Sequence, residues 1–129
     1  MSKATTRLER YLEDELVECE SADLDRRLEE LEELKEAVST TARDDDLKIL
    51  SALSDGTRYT IIRLLVEADE ELCVCELDSM IDVSTSAISH ALSQLHDAGL
   101  VDREKDGKWR KYRATGRATA LLVALDGSR

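Results

Sequence analysis

Ser84-Thr85-Ser86-Ala87-Ile88-Ser89-His90-Ala91-Leu92-Ser93-Gln94-Leu95 is the stretch on which the fold turns. Ile88, Leu92 and Leu95 recur at spacings of four and three, which places them on one face of a helix, and Ser84 is suited to cap its N-terminus. The other faces carry Thr85, Ser86, Ser89, His90, Ser93 and Gln94, with no acid among them. Short polar side chains around one His and one Gln suit a helix that must approach phosphates and base edges closely. These six are candidate DNA contacts. The bland reading of His90 is a solvated surface imidazole.

Downstream, Asp97-Ala98-Gly99 ends the helix and two strands follow, Leu100 to Lys105 and Lys108 to Arg113, around a turn at Asp106-Gly107. The second strand alternates, with Trp109, Lys111 and Arg113 on one side and Lys108, Arg110 and Tyr112 on the other. Trp109 is expected to pack on the core. Lys108, Arg110 and Lys111 are candidates for phosphate or minor-groove contact. Thr115 to Leu125 closes the chain with a helix carrying Ala118, Leu121, Leu122 and Leu125.

Upstream, Leu47, Ile49, Leu50 and Leu53 mark a short helix ended by Ser54-Asp55-Gly56, and Ile61, Ile62, Leu64, Leu65 and Val66 mark a second. Glu67 to Glu71 is an acidic loop. Glu71-Leu72-Cys73-Val74-Cys75-Glu76-Leu77 then opens a third helix running to Ile81. Three helices with a helix-turn-helix among them, followed by a basic hairpin, make a mainly α fold of the winged helix-turn-helix class.

An N-terminal helical extension precedes it. Residues 7–38 lack Gly and Pro and are rich in Leu, Glu, Arg and Lys. Leu8, Tyr11, Leu12, Leu16 and Cys19 form one apolar stripe, and Leu24, Leu28, Leu31 and Val38 a second. Ser21 or Asp23 offers a cap between them, so the segment reads as two helices or one interrupted helix. Such a stripe buries against a partner helix or its own body. Dimerisation is the preferred expectation, with Leu8, Leu12, Leu16, Leu24, Leu28 and the terminal helix as candidate surfaces. Thr40 to Asp46 is polar and reads as the junction, giving an extension over 1–44 and a DNA-binding domain over 45–129.

The formal net charge is −11, which by itself argues against a nucleic-acid partner. The charge is graded, however. Residues 1–46 carry 16 acids against 7 bases, 47–102 carry 10 against 3, and 103–129 carry 3 against 8. Only the segment holding most of the hairpin is basic. With 12 Arg to 6 Lys and no Phe, the acid-rich surface also fits a protein of salt-accumulating cells, such as a halophile. No apolar run of spanning length and no signal-peptide pattern occurs, so a cytoplasmic chain without a membrane partner is expected. Three cysteines without a disulfide-framework spacing fit reduced thiols.

From Leu47 to about Thr115 the chain closely resembles the ArsR/SmtB family of winged-helix metal-responsive repressors. Leu50-Ser51-Ala52-Leu53-Ser54-Asp55-Gly56-Thr57-Arg58 is similar to the family's L-x-x-L-x-D-x-T-R entry, and Glu71 to Leu77 resembles its E-L-C-V-C-D-L box with Glu76 for Asp. Ser84 to Leu92 resembles its recognition helix, and Gly107 to Arg113 its wing. Four motifs in family order are strong together, where a lone Cys-x-Cys is weak. The resemblance implies a homodimeric repressor, not an enzyme, that binds a double-stranded DNA operator without a cofactor and is released when an inducing ion binds Cys73 and Cys75. Arsenite or antimonite is the first expectation, and cadmium or lead the second. Some arsenic-type members place a third cysteine where Asp78 stands. Cadmium-sensing members recruit cysteines from an N-terminal arm, which makes Cys19 the natural third ligand; its alternative is to pack the seam. A terminal-helix zinc site is not expected, because Arg117 to Leu125 contains no His and only Asp126 follows.

Soft thiolates select thiophilic ions over magnesium or calcium. A helix turns about 100° per residue, so i and i+2 point to nearly opposite sides and binding is expected to unwind the helix start. The dipole at that start favours thiolate, and distortion there is expected to shift the recognition helix. Three other readings stay open: buried apolar filler, a redox couple of Cys73 with Cys75 or Cys19, and a non-DNA adaptor built on the N-terminal seam. A thiol-dependent reductase is disfavoured, because Glu70, Glu71 and Glu76 surround the pair and raise thiol pKa values.

Overall fold

The computed structural model describes residues 3–15, 21–39 and 43–127. The chain divides into two compact units, residues 1–43 and 44–129. In the first, α1 (Lys3–Glu15) packs against α2 (Ser21–Ser39), so the extension is two helices. Leu12 and Leu24 are buried, and Leu8, Leu28 and Leu31 are half-buried. Tyr11 and Val38 of the expected stripes, together with Leu34, are exposed in the single chain. Leu16 and Cys19 lie outside the described residues.

Part of the polar stretch from Thr40 to Asp46 is helical. Asp44, Asp45 and Asp46 form the first turn of α3 (Arg43–Leu53), where negative charge complements the exposed N–H groups. Ile49 and Ala52 of α3 are buried, but Leu47 and Leu50 are exposed. Asp55 caps α4 (Gly56–Ala68) by accepting from Arg58 N–H at 3.0 Å. The α4 helix ends at Asp69, whose φ of 50° is left-handed and whose N–H donates to Leu65 O. An aspartate pays for that conformation and adds like charge to a helix C-terminus. Asp69→Gly is therefore expected to raise stability by about 1 kcal/mol, seen as a higher urea midpoint with an unchanged slope.

The cysteine stretch departs from the expected helix. Leu72–Cys73 is a short strand, β1, and only Val74–Asp78 is helical, as α5. After the turn, Ser84 caps α6 (Thr85–Asp97) by accepting from Ala87 N–H at 3.1 Å. Gly99, at φ +75°, ends α6 with its N–H on His96 O and that of Leu100 on Leu95 O. This doubly bonded stop favours glycine and buries the following apolar residue, here Leu100.

Strands β2 (Val101–Asp106) and β3 (Trp109–Ala114) form the hairpin, and Gly107 supplies the positive φ of its two-residue turn. The sheet is antiparallel in the order β1-β3-β2, with Leu72 opposite Tyr112 and Cys73 opposite Lys111. Helix α7 (Gly116–Gly127) closes the unit, burying Ala118 and Leu122 and leaving Val123 and Leu125 exposed. Ile61, Ile62, Leu65, Leu77, Ile88, Leu92, Leu95, Leu100, Val101 and Leu122 are fully buried.

The expectation for Trp109 is corrected. It is 50% exposed, whereas Tyr112 is 5% exposed. Trp109 pairs with Asp106 beside the turn at the hairpin tip. Tyr112 lies where β3 is flanked by both other strands and packs into the core.

Candidate functional site

Helix α6 buries Ile88, Ala91, Leu92 and Leu95 and leaves Thr85, Ser86, Ser89, His90, Ser93 and Gln94 exposed. One face thus anchors the helix and the other offers hydroxyl, imidazole and amide groups. Two of these groups are already engaged. Thr85 Oγ1 donates to Asp78 Oδ1 at 3.2 Å, joining the first residue of α6 to the last of α5. Gln94 Oε1 accepts from Arg58 Nη1 at 2.9 Å. A guanidinium only donates, so the Gln94 oxygen must face it and the NH₂ group is the end left to a ligand. Arg58 Nε also donates to Ala52 O at 2.7 Å and Nη2 to Ser51 O at 3.3 Å. One guanidinium thereby ties the end of α3 to α6.

On the wing, Lys108 and Arg110 are exposed and Lys111 is half-buried. The Lys111 ammonium pairs with Asp106 at 3.1 Å. The hydrogen bond to Asp106 raises its pKa, as do the charges of Asp106, Glu71 and Glu76. Lys111 is thus a cation already answered by carboxylates. The Lys108 ammonium sits 5.2 Å from the centre of the Trp109 ring, within cation–π range.

Cys73 is buried and Cys75 exposed. Cys73 Sγ and Cys75 Sγ are joined as a disulfide, with Cα atoms 5.4 Å apart, where the composition suggests free thiols. The expectation that the pair must break a helix to meet is corrected. Cys73 is the extended cap residue of α5, not a member of it, with φ −86° and ψ 166°. Its side chain can therefore reach back over the first turn to Cys75. Glu76 closes the same turn by accepting from Cys73 N–H at 3.0 Å.

The pair opens into a cleft lined by Val74, Asp78, Thr85, Trp109 and Arg110. Asp78, at the position where a third cysteine can stand, is in this cleft. Sequence reasoning missed that Trp109, Arg110 and Thr85 share it, and missed the role of Arg58; contacts that distant in sequence leave no periodic signal. Among the described residues no group of three or more His, Cys, Asp and Glu is gathered as a metal site, and Cys19 lies outside them. Asp126 falls within α7, and both its oxygens are held by Arg63 at 2.9 Å. Arg63 Nε also donates to Tyr59 Oη at 2.8 Å, and these partners raise the Arg63 pKa. Among the described residues no helix is long and apolar enough to cross a membrane.

Residues 55–103 match the family described as "Bacterial regulatory protein, arsR family". Over 126 residues the chain is 59% identical to the "Putative arsenical resistance operon repressor ArsR" of Halobacterium salinarum, covering 98% of each. It is 48% identical over 56 residues to the cadmium resistance transcriptional regulatory protein CadC of Listeria innocua, covering 43% of this chain and 46% of that one. A solved structure, the homodimeric winged helix-turn-helix DNA-binding domain Mb0332 of Mycobacterium bovis, a possible ArsR-family transcriptional regulator, superposes with a TM-score of 0.57 at 28% identity, covering 66% of this chain and 77% of that one.

Proposed function

The chain belongs to the ArsR family of winged helix-turn-helix transcriptional regulators, which are not enzymes, and on that premise we propose that it is a homodimeric repressor released from its operator by a thiophilic metalloid or metal ion. The observation that carries the proposal is the meeting of two sulfurs, Cys73 and Cys75, in a cleft walled by the start of α6 and by the wing. Sulfurs that reach each other can converge on one soft ion. Arsenite or antimonite is favoured by the 59% identical relative, and cadmium or lead is the second choice, supported by the CadC likeness. The homodimeric neighbour supports twofold assembly, which a repressor reading two half-sites requires. Leu8, Leu16 and Leu28 of the extension, together with α7, are the proposed contact surfaces, Leu12 and Leu24 being already buried in the single chain.

Cys19 is the proposed third ligand. A mobility shift on a duplex selected by the protein tests the reading: arsenite should release the wild-type protein. Cys19→Ser decides the third ligand, since unchanged release removes it from the site. Failure of arsenite, antimonite, cadmium and lead alike to release the wild-type protein would overturn the ion reading.

One observation favours a second reading, a redox switch: the sulfurs are joined as a disulfide. A peroxide would accept the electron pair from one thiolate to give a sulfenic acid, and the second thiol would displace water to close the S–S bond. Release by peroxide and reversal by a thiol reductant, without any ion, would favour it.

Thr85, Ser86, Ser89, His90, Ser93 and Gln94 are proposed to face the major groove, and Lys108, Arg110 and Lys111 the phosphates or minor groove. Because Asp106 answers Lys111, Arg110→Ala should weaken binding more than Lys111→Ala and lower the salt slope by about 1. Equal losses from the two variants would contradict this ordering. The charge of −11 per chain, and the relative from Halobacterium salinarum, support a high-salt cytoplasm as the setting. Near 1 M salt the Debye length is only about 3 Å, so repulsion from DNA is screened. Affinity should therefore fall less steeply with potassium chloride than for a basic repressor, and a steep, monotonic loss would contradict this.

A further inference from the structure

Three features of the cysteine box point to the wing. Cys73 stands directly opposite Lys111 in the β1–β3 ladder, so its backbone moves with that strand. Trp109 and Arg110, the residues just before Lys111, line the cleft into which the two sulfurs open. Trp109 is half exposed and backed by the Lys108 ammonium, so it forms a wall that can be displaced without disturbing the core. We propose that the inducer site is shared with the wing: Trp109 and Arg110 form its outer wall, and an ion held by Cys73 and Cys75 shifts Arg110 away from the DNA backbone. This rests on the reading of Cys73 and Cys75 as ion ligands. Occupancy fills the cleft, and the exposed side of that cleft is the hairpin tip, whereas Leu77 and Ile88 on the helical side are fully buried. The recognition helix then keeps its anchorage while the wing loses its hold.

The test uses the reduced full-length protein, arsenite as the probe, and a duplex selected by the wild-type protein from a random pool. Trp109 is the sole tryptophan, so its emission reports on the wall alone. Arsenite without DNA should change that emission with a saturating dependence, and Cys75→Ser should abolish the change. Equilibrium dialysis fixes the arsenite concentration at which Arg110→Ala is loaded, so that the variant and the wild type are compared with the ion bound. The variant's operator affinity should be lower at the outset, and its further loss on loading should be smaller than the wild-type loss by at least about fivefold, the low end of ordinary allosteric factors. Full retention of the loss in Arg110→Ala with arsenite bound would overturn the proposal. So would an unchanged emission at saturating bound arsenite. If dialysis shows neither arsenite nor cadmium on the wild-type protein, the ion reading fails and this proposal with it, an outcome separable from the first two.

Discussion

Cys73→Ser and Cys75→Ser are each expected to leave operator binding within about twofold of wild type while abolishing release by arsenite, a loss of the whole coupling that commonly amounts to about 5- to 150-fold. The asymmetry follows from where the residues sit. Cys73 caps α5 with an extended backbone, and serine is among the best residues for that position. Its partner in β3, Lys111, is reached through main-chain groups that the substitution does not touch. Cys75 is exposed, so a hydroxyl there is solvated without penalty. Neither residue lies on the polar face of α6. Each variant removes one soft donor and leaves a hard one, which thiophilic ions bind poorly. Fluorescence anisotropy of a labelled duplex, with and without arsenite, measures both quantities. Release persisting in either variant would remove that sulfur from the site.

Leu92→Ala should cost about 2–5 kcal/mol, the range for emptying a well-packed leucine site. Leu92 is fully buried on the inner face of α6, within the cluster that includes Leu65, Leu95 and Leu100. A domain of this size commonly holds only about 5–15 kcal/mol, so the variant loses a large share of its margin and with it the anchorage of the recognition helix. Ser89→Ala, on the exposed face, should change stability by no more than about 0.5 kcal/mol. Urea unfolding followed by circular dichroism measures the pair. A loss below 1 kcal/mol at Leu92 would mean that α6 is not packed as described.

The parts of the fold that repeat were legible in the sequence. Ile88, Leu92 and Leu95 announce α6 by spacing and Ser84 by its capping oxygen. Gly107 announces the hairpin, although the turn falls at Gly107-Lys108, one residue later than expected. The cysteine box was half legible. Its residues stood out, but the break from strand to helix between Cys73 and Val74 is set by pairing with Tyr112 and Lys111, and two residues carry no period. Alternation along β3 separated Trp109 from Tyr112 and could not say which was inward, because that depends on which end of the hairpin lies over the core. The bond from Arg58 to Gln94 crosses 36 positions, and local pattern holds no trace of it. The same holds for the cleft in which Cys75 meets Trp109 and Arg110.

The two-residue strand β1 also bears on how such a sensor could change its diet over generations. Its ladder to β3 is made by main-chain groups, while its two side chains, Leu72 and Cys73, are buried. Chemistry at positions 75 and 78, which are exposed at the cleft, is therefore loosely tied to architecture: the scaffold can exchange sulfur for carboxylate or imidazole there with its hairpin and recognition helix intact, whereas the buried position 73 would have to desolvate a charge. Asp78 already occupies a third corner of that cleft. A lineage, or a designer, could retune the ion by substitution at these two positions without first re-inventing the reader.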